Sequence, residues 1–198
     1  MPDRTTRSAA LAATAVAVPV TVLAAVLLFL FIQDRTTAAP PAGRSAASAG
    51  TPVVQSTSPV TMPAPALSAR ATAVCRSLMS RLPPAVRDRP ARKVTAGPAQ
   101  NAAYGDPAIT VACGAPQPRV ADESLLMNMK SMVSGAGYVC WYTQQNADAT
   151  VWTTVNREVP VQVTVPSAYE PAAQWANEFS DAVIAAVQPR TDVPAGCA

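Results

Sequence analysis

The distribution of apolar and polar positions divides the chain into three parts. Residues 9–32 form an uninterrupted run without a charged residue. As a helix this run would be about 36 Å long, enough to cross a hydrocarbon core of about 30 Å. It exceeds the apolar core of about 7–15 residues found in cleaved signal peptides, so we expect a retained signal anchor, with a cleaved signal as the alternative. Residues 33–69 are rich in Pro, Ala, Ser and Thr, which predicts a disordered linker.

Residues 70–198 carry the periodic patterns of a folded domain. Apolar positions at helical spacing predict a first helix with Ser68 as N-cap, running to Leu82 and stopped by the prolines that follow. Alternation predicts strands over residues 92–97 and 109–113. A short helix is expected to begin within residues 121–129, where acidic residues suit the positive end of a helix.

Three consecutive runs rich in β-branched and aromatic residues form the clearest pattern in the chain. They cover residues 138–144, 150–156 and 159–165, and their short connections predict an antiparallel meander. Because Pro160 cannot donate a ladder hydrogen bond, the third strand either starts there or lies at an edge. A capping box of Ser167 and Glu170 predicts a final helix that ends before Pro189. These elements predict an α+β domain in which helices pack on one face of an antiparallel sheet, a two-layer sandwich.

Cysteine usage agrees with the expectation that the domain lies outside the cytoplasm, where disulfides form. All four cysteines lie in the domain, and an even number there predicts two disulfides, for which three connectivities exist. The expected element order favours Cys75–Cys113 and Cys140–Cys197, without excluding the other pairings. The chain has no histidine and no C-x-x-C motif, so we expect no metal site and no cofactor.

Charge is segregated along the domain. Residues 70–95 hold seven basic residues against one acid, whereas the rest of the domain has a net charge of −5. The candidate binding residues in the basic stretch are Arg87, Arg89, Arg92 and Lys93. They would suit anionic lipid or an anionic wall polymer. With Arg4 and Arg7 before the apolar run, the N-terminus is expected in the cytoplasm and the domain outside the cell membrane, away from nucleic acid.

The stretch Tyr104-Gly105-Asp106-Pro107 is the candidate for a more specific site. Gly, Asp and Pro favour a turn, which is the structural interpretation. In the functional one, Tyr104 and Asp106 line a recognition groove at the entrance of a strand. Without histidine there is no Ser-His-Asp triad, so an enzyme would depend on a carboxylate such as Asp106.

Several spaced motifs together resemble a known family. They are C-x-x-L-x-x-x-LP from Cys75, GDPAI-x-x-x-CG from Gly105, TT-x-x-R ending at Arg157, and V-x-VP-x-x-Y ending at Tyr169. The chain resembles the actinobacterial envelope proteins grouped as domain-of-unknown-function family 3515. The resemblance implies an exported domain with a Cys75–Cys113 bond and brings no assigned activity. The chain departs from the family pattern in having Tyr104 where tryptophan is frequent, and in carrying the extra pair Cys140 and Cys197.

These features favour a non-enzymatic, membrane-anchored binding or accessory module of the cell envelope, with a wall component or membrane partner as its ligand. Two alternatives belong to other classes. One is a cell-wall enzyme that uses Asp106. The other is a scaffold for an integral membrane complex, in which the apolar helix itself would carry the specificity.

Overall fold

The computed structural model describes residues 56–131, 133 and 137–197, together with Val26 and Phe29. Contacts between Cα atoms separate the chain into two units, residues 1–53 and 54–198. The predicted membrane helix over residues 9–32, apart from Val26 and Phe29, and linker residues 33–55 lie outside this description. In the residues that are described, no helix combines the length and hydropathy needed to cross a membrane.

The second unit is built on one antiparallel sheet of eight strands in the order β1-β2-β3-β4-β8-β7-β6-β5. Each neighbouring pair of strands runs antiparallel. The strands are β1 (Ala85–Val86), β2 (Arg89–Arg92), β3 (Asn101–Tyr104), β4 (Ile109–Cys113), β5 (Leu126–Lys130), β6 (Tyr138–Gln145), β7 (Ala149–Thr154) and β8 (Val161–Pro166).

The predicted meander is confirmed as β6, β7 and β8. Trp152 of β7 pairs with Thr143 of β6 on one side and with Val163 of β8 on the other. Strand β8 lies between β4 and β7 in the sheet, and its alternate valines are fully buried. Pro160 immediately precedes β8, which is the first of its two predicted positions. A proline is tolerated there because the ladder has not yet begun.

Three α-helices accompany the sheet: α1 (Ala69–Met79), α2 (Ala172–Asn177) and α3 (Ser180–Ala186). Ser68 is the N-cap of α1 as predicted, and its hydroxyl accepts a hydrogen bond from the Ala71 amide at 3.2 Å. The predicted end at Leu82 is wrong, because α1 closes at its C-cap Ser80.

The predicted capping box is also wrong. Helix α2 begins at Ala172 with Pro171 at the N-cap, so Ser167 and Glu170 precede it. A residue before proline is sterically disfavoured in helical conformation, which keeps Glu170 out of the helix. The single predicted helix is divided into α2 and α3 at Glu178 and Phe179.

Helices and sheet form two layers around the larger hydrophobic core, and a smaller cluster around the Cys140–Cys197 disulfide is buried separately. Helices α1 and α3 contact each other, and α2 contacts β8. Leu78 of α1 and Phe179, which precedes α3, are buried in the same cluster as the inward-facing residues of β4 and β8. The predicted α+β sandwich is thereby confirmed, together with both favoured disulfides, Cys75–Cys113 and Cys140–Cys197.

The short helix predicted within residues 121–129 is wrong. A single 3-10 turn occupies Glu123–Leu125, and Leu126–Lys130 then form strand β5 along the outer edge of β6. Asp122 caps only that turn, accepting a hydrogen bond from the Ser124 amide at 2.9 Å. Pairing with β6 and burial of Met129 stabilise the extended conformation of Leu126–Lys130.

The predicted strand 92–97 is displaced, since β2 ends at Arg92. Val94 instead forms an isolated parallel bridge with Val60, which the composition assigned to the linker. The Val60 amide donates to the Lys93 carbonyl at 2.8 Å, and the Thr95 amide donates to the Val60 carbonyl at 2.9 Å. Met62 is buried. The folded domain therefore includes residues before the predicted boundary at Arg70.

Candidate functional site

The candidate residue Tyr104 lies inside the protein. Its side chain is 1% exposed, its ring contacts Phe179, and its hydroxyl donates to the Pro83 carbonyl at 3.0 Å. Burial raises the pKa of Tyr104 to about 12 because the charged phenolate would lose its hydration. The prediction that Tyr104 lines a recognition groove is therefore wrong: β3 directs this tyrosine into the core.

Gly105 and Asp106 form a junction between three segments of the chain. Gly105 has a φ of +71°, and a Cβ atom there would lie 2.9 Å from the Tyr169 hydroxyl, so the turn requires glycine. Asp106 accepts a hydrogen bond from the Ser56 amide at 3.2 Å, and its carboxylate lies 3.6 Å from the guanidinium of Arg92. The Asp106 carboxylate is therefore engaged in contacts with other residues of the domain.

Arg92 completes the junction. Its Nη1 donates to the Gly105 carbonyl at 2.9 Å and its Nη2 donates to the Ser58 carbonyl at 2.7 Å. The side chain is only 11% exposed. A planar guanidinium can bond several acceptors at fixed angles, so Arg92 connects β2, the turn after β3 and residues 56–58.

Arg87 and Arg89 stack on aromatic rings. The guanidinium carbon of Arg87 lies 4.8 Å from the ring centre of Trp175 and its Nε bonds Glu178 at 2.9 Å. The guanidinium carbon of Arg89 lies 5.5 Å from the ring centre of Tyr169. These cation–π contacts hold the β1–β2 hairpin against the sheet end that carries α2. The whole side chains of Arg87 and Arg89 are more than one-third exposed and can still present charge to solvent, although Nε of Arg89 is buried.

The exposed residue Lys93 is the remaining member of the predicted basic set. Within the described part of the chain it forms no ion pair, and the same holds for Arg76 and Arg81. Lys93 and Arg92 line a surface cavity of about 330 Å³ together with Pro90, Ala91 and residues 56–57. The structure therefore brings Arg92 and Lys93 to one concave surface, at the point where the chain enters the domain.

Sequence reasoning assigned no role to Arg157. This arginine follows β7, is 4% exposed, and donates to the backbone carbonyl oxygens of Tyr138 and Val187. Burial lowers the pKa of Arg157 from its ordinary value. Its only sequence signal was the spacing Thr153, Thr154 and Arg157, which does not distinguish a buried arginine from a surface one.

No group of three Cys, Asp or Glu side chains that could hold a metal ion occurs within the described ranges. All four cysteines are consumed in disulfides. The candidate residues Arg87, Arg89, Arg92 and Lys93 are cationic, and the ligands that guanidinium and ammonium groups bind are anions.

Comparison with known protein families identifies one family for this chain. The family model described as a protein of unknown function (DUF3515) matches residues 16–191. The chain belongs to the DUF3515 family. No curated protein and no solved structure matches it significantly. The DUF3515 match spans all eight strands, the three helices and Arg157, and assigns activity to none of them.

Proposed function

We propose that this DUF3515 protein is a non-enzymatic, membrane-anchored binding module of the cell envelope. Its domain binds an anionic surface, either lipid headgroups or a wall polymer, through exposed basic residues near strands β1 and β2. The observation that carries the proposal is Lys93, an exposed ammonium without a described ion-pair partner, lining the cavity where the chain enters the domain.

Backbone pairing brings a second basic residue towards the same edge of the sheet. The Ala91 amide donates to the Pro84 carbonyl at 2.9 Å, which extends the β1–β2 pairing beyond the strands themselves. Arg81 shortly precedes Pro84 and Lys93 shortly follows Ala91. Both are exposed. Arg81 and Lys93 are therefore two exposed basic residues near the β1–β2 pairing, and both would attract an anionic surface.

The path of the chain favours a membrane surface as the partner of this edge. Ser56 and Thr57 line the same cavity as Lys93, and residues 33–55 connect them to the proposed anchor at residues 9–32. Each basic residue near an anionic membrane surface contributes about 1 kcal/mol and acts within a Debye length. The residues adjoining the linker are thus the basic residues best placed by chain connectivity to meet the headgroups.

The two lysines of the chain supply a test with an internal control. Lys93 follows β2, whereas Lys130 ends β5 at the opposite edge of the sheet, and both are exposed. The full-length protein is reconstituted in phosphatidylcholine vesicles with or without phosphatidylglycerol and briefly treated with an amine-acetylating reagent. Mass spectrometry then gives the acetylation rate of each lysine.

Anionic lipid is expected to slow acetylation of Lys93 by about fivefold, the equivalent of about 1 kcal/mol, and to leave Lys130 unchanged. Added salt should abolish the difference, and Arg81→Glu should reduce it. Protection of Lys93 by soluble wall fragments in neutral vesicles would identify the polymer as the ligand. Equal acetylation ratios under all these conditions would exclude binding at this edge.

A further inference from the structure

A second cavity, of about 400 Å³, lies beside the C-terminal end of α3. Its polar lining comes from Arg157, Arg190 and Asn156, and Tyr138 contributes an aromatic side. The volume falls in the range of small-molecule binding sites, about 300–1,000 Å³. The Cys140–Cys197 disulfide connects two segments that contribute to the cavity. Cys140 lies in β6, two residues after Tyr138, and Cys197 follows the cavity residues of the C-terminal segment.

Arg157 brings a buried positive charge to this cavity without a matching negative one. Its two terminal nitrogens donate to neutral carbonyl groups, and its Nε has no hydrogen-bond partner among the residues described. It forms no ion pair within the same ranges. Buried charges are normally paired, so the surroundings of Arg157 favour an anion from outside the chain.

Arg190 supplies a second guanidinium in the lining. Its amide donates to the Asn156 carbonyl at 3.1 Å, which fixes its backbone beside the cavity. Its side chain pairs with Asp192 at 3.2 Å, but the Asp192 side chain is 94% exposed. Ion pairs of this exposure are weak, so an anion in the cavity can replace Asp192 at small cost.

The remaining lining is apolar and narrows the class of ligand. Ile184, Pro189 and Val193 face the cavity together with the arginines. A bare inorganic anion would leave these groups without a partner. We propose that the cavity binds an organic carboxylate that carries a small branched apolar group, with the carboxylate at Arg157 and Arg190 and the apolar group against Ile184 and Val193. Guanidinium forks match carboxylate oxygens in geometry and charge.

This site is independent of the basic edge at Lys93. Its lining follows β7, adjoins β6 and α3, and includes no residue of the cavity beside β2. Loss of one site therefore leaves the other intact, and the two proposals are tested separately.

The test uses the full-length protein in detergent micelles, with isovalerate as the probe. Isovaleramide is its neutral isostere, and inorganic phosphate is an anion without the apolar group. Binding is followed at constant ionic strength through the NMR amide signals of Tyr138, Asn156 and Arg190. Arg190→Gln and Val193→Phe alter the cavity without touching the buried Arg157, and Arg119→Gln is a matched control at an exposed arginine outside the lining.

Isovalerate is expected to produce saturable shifts, with isovaleramide and phosphate binding at least about tenfold more weakly. Arg190→Gln and Val193→Phe should each weaken isovalerate binding, and Arg119→Gln should leave it unchanged. Equal binding of acid and amide would overturn the anion assignment. Equal binding of phosphate would overturn the carboxylate assignment, and unchanged binding in both cavity variants would overturn the location.

Discussion

At the scale of single residues, the domain uses guanidinium groups as internal connectors. Arg92 bonds two backbone carbonyls from separate segments, and Arg157 does the same between Tyr138 and Val187. A planar group with five donors can satisfy several acceptors at once, whereas an ammonium has one donor centre. Arg92 therefore has a structural role although it belongs to the basic stretch of residues 70–95.

Tyr104 gives a prediction at the same scale. Free tyrosine has a pKa of about 10, and burial raises that of Tyr104 to about 12. The folded state therefore holds the phenol proton more tightly than the unfolded state. Its contribution to stability is complete below pH 10 and is lost as pH rises towards 12, at most by about 1.4 kcal/mol per pH unit.

Urea denaturation of the wild type and of Tyr104→Phe between pH 8 and about pH 11 measures this contribution. The variant should be less stable at pH 8 by about 1 kcal/mol, because its hydrogen bond to Pro83 is lost. Above pH 10 its free energy of unfolding should decline less steeply than that of the wild type. Parallel declines would show that Tyr104 does not govern the alkaline transition.

At the scale of elements, residues 56–62 belong to the folded domain although their composition is that of a linker. Val60 bridges Val94, and the Met62 amide donates to the Thr95 hydroxyl at 3.2 Å. The Met62 side chain is 8% exposed. Burial of one large apolar side chain and a few backbone bonds suffices to dock the segment.

Met62→Ala tests whether this segment stabilises the domain. Removing a buried methionine side chain should lower the free energy of unfolding by about 2–4 kcal/mol, measured by urea denaturation of the full-length protein. Thr61→Ala, at an adjacent exposed position, should change it by less than about 0.5 kcal/mol. Similar values for the two variants would place residues 56–62 outside the cooperative unit.

The elements predicted correctly are those whose own sequence carries a clear pattern of apolar residues or a cap. The meander followed from the β-branched and aromatic residues of the runs that form β6, β7 and β8, and α1 from Ser68 and a helical stripe. Strand β5 was not predicted, because the acidic residues before it suggested the start of a helix and its extended conformation depends on pairing with β6. The start of α2 was misplaced because a proline outweighed an apparent capping box.

The candidate sites depended still more on tertiary context. A sequence gives the types of Tyr104, Asp106 and Arg92, but their functions follow from distances to residues far along the chain: Pro83, Ser56 and Ser58. Arg157 shows the same dependence on tertiary structure for a residue to which the sequence assigned no function. Nothing local in the sequence shows that an arginine after β7 would be buried next to a cavity.

At the scale of the whole domain, the segregated charges partly compensate one another. Three ion pairs join the basic stretch to acids later in the chain: Arg70–Glu158, Arg87–Glu178 and Arg92–Asp106. Each connects segments that are distant in sequence. Arg76, Arg81 and Lys93 are left without a pair in the described residues, so the domain presents less charge outwards than its sequence suggests.

The proposed roles of the membrane anchor and of the domain give a prediction for the whole protein. If the domain carries the specificity, replacing residues 9–32 with an unrelated membrane helix of equal length should preserve the protection of Lys93 by anionic vesicles. The replacement keeps the chain attached to the same bilayer, so the local concentration of headgroups near the basic edge is unchanged.

Acetylation of Lys93 relative to Lys130 in the swapped protein measures this directly, with the wild type in the same vesicles as reference. A scaffold whose specificity lies in its membrane helix would instead need the native helix surface to bind a membrane partner, because contacts between membrane helices depend on their packing surfaces. In that case the swap would abolish association with the membrane partner in cells while leaving the domain folded. Retained protection of Lys93 together with retained association would show that the sequence of residues 9–32 is not needed for binding, which is the result expected if the domain binds.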